Sequence, residues 1–467
     1  FHGGAINDTL LFTAPSVFID GTNFGTNLTS IDVIQLADGG NTVTSYTYTY
    51  GALVGGAGDD SITVTSGTSS VKLYGGDGAD RLAFATATDL NNATTLVGGN
   101  QVDTLSVSGS IAITNASFTK VATVETLDIS GLSANATIGA LGYAAGLTTI
   151  NDTGTNIKTI DVSGFGNYAL TINANGAADV NDTFTLDGAQ SSVVLNAGSS
   201  TADTLKVSGS TAIVDSFFTN KTSAEILDIT SSTATTLTLA SNAKASGIVI
   251  INDTGSTAKT IDISGDNIGA SGTRLAINAG TGADTIIANS LYYYTINGGA
   301  TGVNTLTLSN QLTSSETGTL SAIGNINYSN IDKVQLANGG NTVAFDLYSG
   351  SGTNISLIGG TGNDVFKYTI ATMNGDFLIG GTGTDTLVYT NAGTIAQANL
   401  AGVDFSSANK VEIVQFADGV NDISVDKDNV TLIGGTAADT FNYAVGNLST
   451  ADTIDGGTGG TDTLKLS

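Results

Sequence analysis

The chain has 467 residues, only 12% of them charged, and its 14 Lys+Arg against 41 Asp+Glu leave a formal net charge of -27. That charge repels nucleic acid, which is bound mainly through Lys and Arg on phosphates, and no apolar run approaches the roughly 18 residues of a membrane span, the best being Ile248 to Ile251. With no Cys and a single His, His2, the chain has nothing from which to build disulfides, thiolate metal sites, thiol catalysis or a His-based triad.

The acidic residues are 37 Asp to 4 Glu. Glu suits solvated helical faces, whereas Asp is a turn residue, a cap and a compact carboxylate ligand. Sixty-one Gly, one Pro and 40% hydrophobic residues describe short strands joined by tight turns, and the apolar fraction is too high for a disordered acidic tail. A large extracellular chain without disulfides needs another staple, and bound metal is the obvious one. The start at Phe1 and the stop just after a turn motif read as a mature or excised piece of something longer.

In chain order, a Gly-Asp turn opens at Gly3 to Leu10 with Asp8. The phrase Ile31 to Val43 follows, then the turns Gly55-Gly56-Ala57-Gly58-Asp59-Asp60-Ser61-Ile62 and Gly75-Gly76-Asp77-Gly78-Ala79-Asp80-Arg81-Leu82, and a weaker one at Gly98 to Leu105 with Asp103. Between Leu147 and Val207 the apolar phrases centre on Ile150, Ile160, Ile172, Phe184, Val194 and Leu205. Each alternates apolar and polar residues over four to six positions between Gly, Asn or Asp, the pattern of a half-buried strand. Further turns stand at Ala279 to Ile286 with Asp284, Gly298 to Leu306 with Asn304, Gly359-Gly360-Thr361-Gly362-Asn363-Asp364-Val365-Phe366, Gly380-Gly381-Thr382-Gly383-Thr384-Asp385-Thr386-Leu387, Gly434 to Phe441 with Asp439, and Gly456 to Leu464 with Asp462. Helical patterning is nearly absent, with short candidates such as Thr394 to Leu400.

Internal repeats organise these phrases. Asp103 to Ser110 returns at Asp203 to Ser210, Asn151 to Gly154 returns at Asn252 to Gly255 with Lys158 and Lys259 following, and Ile31 to Val43 returns at Ile331 to Val343 and loosely at Val411 to Ile423. The acids Asp32, Glu125, Glu225, Asp332 and Glu412 lie 93, 100, 107 and 80 apart and mark tandem modules at 1–30, 31–124, 125–224, 225–331, 332–411 and 412–467, the first and last partial. Two short strands per 20 to 24 residues predict an all-β fold, an elongated parallel β-solenoid or β-roll of such modules.

The glycines free the backbone to turn its carbonyls inward, and the Asp adds a short carboxylate. Calcium takes about six to eight hard oxygens at flexible geometry, so one turn supplies only half a site. Asp60, Asp80 and Asp103 are spaced 20 and 23, Asp364 and Asp385 by 21, and Asp439 and Asp462 by 23. Those intervals match the coil, so the Asp residues should stack as a ladder with ions between rungs. The expected metal set is Gly55, Ala57, Asp59, Asp60, Gly75, Asp77, Asp80, Asp103, Asp284, Gly359, Thr361, Asp364, Gly380, Thr382, Asp385, Asp439, Asp462 and Asp8. Asp152 and Asp253 read as Asx-turns, the Gly runs are not phosphate cradles, and Tyr46, Tyr48, Tyr50 and Tyr292 to Tyr294 read as coverage of strand edges.

These turns resemble the RTX calcium-binding nonapeptide, Gly-Gly-x-Gly-x-Asp-x-apolar-x, in four full matches and several degenerate ones. The resemblance implies calcium in the turns, export by type I secretion and folding outside the cell. The modules look most like S-layer proteins and large adhesins of Gram-negative bacteria. They depart from toxin and protease β-rolls, because the nonapeptides come in twos and threes separated by calcium-poor stretches such as Ser106 to Ala174. The expectation is a non-enzymatic, calcium-binding structural protein of the cell surface that self-assembles into a layer or filament, with a cell-surface polysaccharide as a further partner. An adhesin stalk is the alternative. The calcium-binding part of a secreted enzyme is weaker, since neither His-Glu-x-x-His nor Gly-x-Ser-x-Gly is present.

Overall fold

Because successive strands of a coil must leave and return in the same direction, short alternating phrases with turns every ten or so residues stack as parallel sheets rather than hairpins. A computed structural model describes residues 2–4, 7–15, 19–20, 28–46, 51–65, 70–176, 180–209, 212–232, 235–265, 274–289, 294–312, 328–345, 355–370, 377–424 and 427–467. The fold is all-β, a parallel β-solenoid of about 17 turns with 7% helix. The chain divides into two compact units, Phe1–Ser231 with Ala245–Ile248, and Ser232–Lys244 with Val249–Ser467.

In the first unit, strands alternate along the chain between two sheets, so each coil contributes one strand to each. One sheet has six strands from Thr9–Leu11 to Val121–Ala122, and the other has ten from Ile19–Asp20 to Lys221–Thr222. Where the six-stranded sheet ends, a new one begins at Ala136–Thr137 and continues through Thr159–Asp161, Thr183–Asp187 and Thr204–Ser208. In the second unit a seven-stranded sheet runs from Thr236–Thr238 to Phe377–Ile379, a six-stranded one from Thr342–Phe345 to Thr453–Asp455, and a four-stranded one from Thr394–Ile395 to Thr463–Leu466.

The period-2 pattern sends one residue of each phrase inward, and parallel register stacks it on its counterpart in the next coil. Ile62, Leu82, Leu105, Leu127, Ile150, Ile172 and Leu195 form one such column, every member at most 1% exposed. Ile160, Phe184, Leu205 and Leu227 form a second, and Val343, Phe366, Leu387, Val414 and Leu432 form one in the second unit. The six phrases predicted between Leu147 and Val207 are all strands. One centre is out of phase, since Val194 points outward while Val193 and Leu195 are buried.

Among the described residues three short α-helices occur where none was expected, at Ala87–Asn92, Ala140–Ala144 and Ser241–Ala245, too short to carry a 3.6-residue signature. The candidate at Thr394 to Leu400 is a strand, Thr394–Ile395, followed by a 3-10 turn, Gln397–Leu400. Tyr46 and Tyr294 are core residues rather than edge cover, both 0% exposed, while Tyr48, Tyr50, Tyr292 and Tyr293 lie outside the described residues. Leu105→Ala, cut from the middle of the long column, should cost about 2–5 kcal/mol. The urea midpoint of the full chain checks this.

Candidate functional site

Along each row, one strand of every coil begins one residue after the ladder position, so the backbone N–H at that position lies outside the regular sheet pairing and needs an acceptor of its own. The acceptor is the side chain of the equivalent residue one coil on. Asn41 N–H donates to Asp60 Oδ1 at 2.7 Å, Asp60 N–H to Asp80 Oδ1 at 2.8 Å, Asp80 N–H to Asp103 Oδ1 at 2.8 Å, and Asp103 N–H to Glu125 Oε2 at 2.9 Å. In the second unit Asn341, Asp364, Asp385 and Glu412 are joined the same way, each bond 2.7 Å, as are Asn421, Asp439 and Asp462 at 2.8 and 2.9 Å. The ladder expected from the spacing is therefore present. Its rungs are linked directly, each by a hydrogen bond from a backbone amide to a carboxylate.

The second carboxylate oxygen explains the first glycine of the motif. A Cβ on Gly55, Gly75, Gly98, Gly359, Gly380 or Gly434 would fall closer than 3.0 Å both to the Oδ2 of the Asp in its own turn and to a backbone carbonyl oxygen of the next coil. The bare glycine thus leaves a carboxylate oxygen and a carbonyl oxygen facing one another across a gap. The Oδ2 atoms of Asp60, Asp364 and Asp439 accept the N–H of the second glycine, Gly56, Gly360 and Gly435, at 2.8–3.0 Å. Those of Asp80, Asp103 and Asp385 are buried and have no hydrogen-bond donor.

A buried carboxylate oxygen without a donor favours the neutral acid. Burial pushes Asp80 up to about 7, helped by the charges of Asp103, Asp60 and Asp59 and opposed by the Asp60 amide. Burial likewise raises Asp103 and Asp385 to about 6, with Glu125 and Asp364 among the charges that add to it. A proton or a cation relieves the same deficit. The atoms that face one another across each gap are all oxygen, one carboxylate and one carbonyl per coil, which is the chemistry of a hard divalent ion. Among the described residues no three carboxylates or imidazoles converge on one point, so ligation at the ladder would have to draw on backbone carbonyls.

The remaining expected ligands lie elsewhere. Asp59 and Asp77 are exposed on the turns, where Asp59 Oδ1 accepts the Ala79 amide at 2.8 Å and Asp77 Oδ1 the Asn100 side chain. Asp77 lines an open trough of about 540 Å³ with Ala57, Gln35, Asp38, Asn100 and Thr123, and a counterpart of about 340 Å³ holds Gln415, Asp418, Thr436 and Asp455. The carbonyls of Ala57, Thr361 and Thr382 accept amides of neighbouring coils, from Gly39, Gly339 and Gly362. Asp8 accepts the Gly4 amide and donates its own to Asp32 Oδ2. Asp284 takes the Lys259 amide at 2.7 Å and its own amide goes to Asn304 Oδ1. Asp462, on an exposed coil, is the last rung of its row.

Several members of the ladders carried no site signal in the sequence. Asp182 and Asp203 continue a row from Lys158 to Glu225. Glu125, Glu225, Asp332 and Glu412, legible only as period markers, are the last rungs of their rows. Asn41, Asn341 and Asn421 stand immediately ahead of the first acid in three rows, Asn341 and Asn421 themselves accepting the Leu312 and Gly393 amides, and the recurrence of the Ile31 to Val43 phrase was the signal that could have found them. Asp152 and Asp253 do form the expected Asx-turns, onto Gly154 and Gly255, and are also paired with buried lysines. The chain matches no protein-family model and no curated protein.

Two outcomes follow from this geometry. Gly359→Ala drives a methyl into Gly380 O and Asp364 Oδ2 and should lower stability by about 1–3 kcal/mol more than Gly164→Ala, an exposed position of ordinary φ where a Cβ meets only the Gly139 Cα at 3.6 Å. Denaturant midpoints of the two variants decide it. In chelator, the raised acids hold protons in the folded state that the unfolded chain has already lost, so their contribution is complete below the ordinary Asp value of 3.8 and is lost as pH rises through about 6 to 7. Thermal midpoints should accordingly be higher near about pH 5 than near about pH 8. The reverse order would show that these groups do not titrate as described.

Proposed function

We propose that the chain is a non-enzymatic, calcium-stabilised structural protein of the cell exterior that self-assembles into a surface layer or filament. The observation that carries the calcium part is the row of buried carboxylate oxygens, Asp80, Asp103 and Asp385 Oδ2, each without a donor and each open toward a glycine and a carbonyl of the next coil. Self-assembly and the extracellular setting rest on the likeness of the repeats to RTX surface proteins.

Calcium would supply positive charge and preference for oxygen ligands. The residues do the rest. Asp60, Asp80 and Asp103 hold their carboxylates at one register by accepting the preceding rung's amide. The first glycines keep the gap beside each carboxylate open, and the columns of Leu, Ile and Phe exclude water from the inner side. At low calcium the Asp rows repel and the turns lose their anchor. At the calcium level outside a cell the coils close, which couples folding to export.

A calcium titration against chelator, read by circular dichroism and sedimentation, is the deciding measurement. Strand content and particle size should both rise with calcium, with half-effect in roughly the 10⁻⁴ to 10⁻³ M range of extracellular modules. Indifference of both to chelation would sink the reading. Asp364→Asn with Asp385→Asn should remove calcium and stability from that module and leave modules beyond its neighbours unchanged. Electron microscopy then separates a periodic sheet or fibre from isolated rods, the latter giving the adhesin-stalk reading.

A further inference from the structure

The rows differ in the residue ahead of their first acid. Asn41, Asn341 and Asn421 each donate a side-chain N–H to the next rung's Oδ1 and to two carbonyls of their own turn. The place five residues earlier is filled by a buried apolar side chain, Leu36, Leu336 or Phe416. In two further rows that residue is a lysine. Lys158 and Lys259 give their backbone N–H to Asp182 and Asp284 as any head does, at 2.9 and 2.7 Å. Their ammonium groups instead turn to a second buried acid. Lys158 Nζ lies 2.7 Å from both carboxylate oxygens of Asp152, with the two side chains 0% and 1% exposed, and Lys259 Nζ lies 3.3 Å from Asp253 Oδ1. The Asp152 amide donates to Asn173 O as the Leu36 amide donates to Val54 O, so Asp152 occupies the place of Leu36. An Asn-plus-apolar head has been exchanged as a unit for a Lys-plus-Asp head.

The glycine position changes with it. In the Asn-headed rows every Asp rung shares its turn with a bare glycine. In the Lys-headed rows the amide bonds put Ala174, Ala197 and Ala279 at that place, ahead of Asp182, Asp203 and Asp284, and the one glycine, Gly298, precedes Asn304. No coil of a Lys-headed row combines an open glycine with a rung carboxylate. A methyl fills the gap where the carboxylate and carbonyl oxygens face one another elsewhere.

We propose that the Lys158 and Lys259 ammonium groups are built-in counter-cations that replace bound metal in their rows, so that calcium dependence is confined to the rows in which a bare glycine faces a rung carboxylate. This rests on the calcium reading above, and withdraws Asp284 from the metal set. Burial raises Asp253, Asp284 and Asp182; the Lys259 charge opposes it at Asp253 and Asp284, whereas at Asp182 the Lys158 charge is outweighed by that of its partner Asp152. Removing either lysine would strand buried carboxylates, the costly half of a buried ion pair.

Hydrogen exchange of the intact chain, followed by mass spectrometry with calcium and with chelator, tests it. Peptides from 70–125, 377–412 and 427–462 should exchange faster on chelation by on the order of tenfold or more, and peptides from 180–209 and 294–312 should be unchanged. Equal acceleration in the second group overturns the proposal while leaving the calcium reading intact. No acceleration anywhere overturns both. In Lys158→Met, peptides from 180–209 should exchange faster in a way calcium does not restore, with the calcium response of 70–125 retained. A Lys158→Met chain whose 180–209 region is unaltered, or is rescued by calcium, would also overturn it.

Discussion

The bond from a backbone amide to the carboxylate one coil on is the constraint from which the rest of the molecule follows. At each turn the chain enters a strand with one N–H outside the sheet pairing, and that donor is buried. Meeting it with the next coil's own backbone would break the register, so a side chain must do it, and Asp has the reach. Placing an acceptor inside also places charge inside. In the Asn-headed rows a glycine stands opposite that charge, where a Cβ would collide with the second oxygen and with the carbonyl beyond it, and in the Lys-headed rows an alanine takes that place. The Gly-Gly-x-Gly-x-Asp pattern is the trace of this single requirement.

How much of this the sequence discloses depends on what leaves a period. Strands are legible because burial alternates with period 2, and coil length is legible because rungs recur at 18 to 28 residues. Both are enforced at every turn. The parity of a phrase such as Val193–Asn196 is not, since three apolar residues in succession leave its inward face undecided. The short helices at the coil corners have no period of their own to show. The rung acids were identified by the company of glycines, so Asp182 and Asp203, accompanied by alanine, escaped notice although they sit in the same geometry. Direct amide-to-carboxylate linkage was hidden for a different reason: spacing fixes which residues are neighbours and says nothing about which atom of each is used.

Packed β-coils have few ways to hold charge. The carboxylate rows use amides, and the lysine heads use a paired acid. Lys221 uses neither, since its ammonium reaches the carbonyls of Gln190 and Val193 and lies 4.4 Å from the centre of the Phe217 ring. Burial pulls that lysine down to about 8, a measure of how dry the position is. It stands where a hydrophobic residue, Val121, stands one repeat earlier, in a strand of the same two-residue length. The stack therefore accepts ionisable groups inside wherever backbone oxygens converge, and repetition of the coil multiplies such places.

The interval between rungs is not constant. It is 18 residues from Asn421 to Asp439, 20 from Asp60 to Asp80, 27 from Asp385 to Glu412 and 28 from Asn304 to Asp332, yet the linking bond is 2.7–2.8 Å in every case. The bond from rung to rung is thus kept while the amount of chain between two rungs varies. Each unit counts in rungs and not in residues, so the step from one storey to the next is indifferent to how much chain a storey holds. Outer loops are free to diverge, lengthen or acquire cargo without altering the rise from one storey to the next.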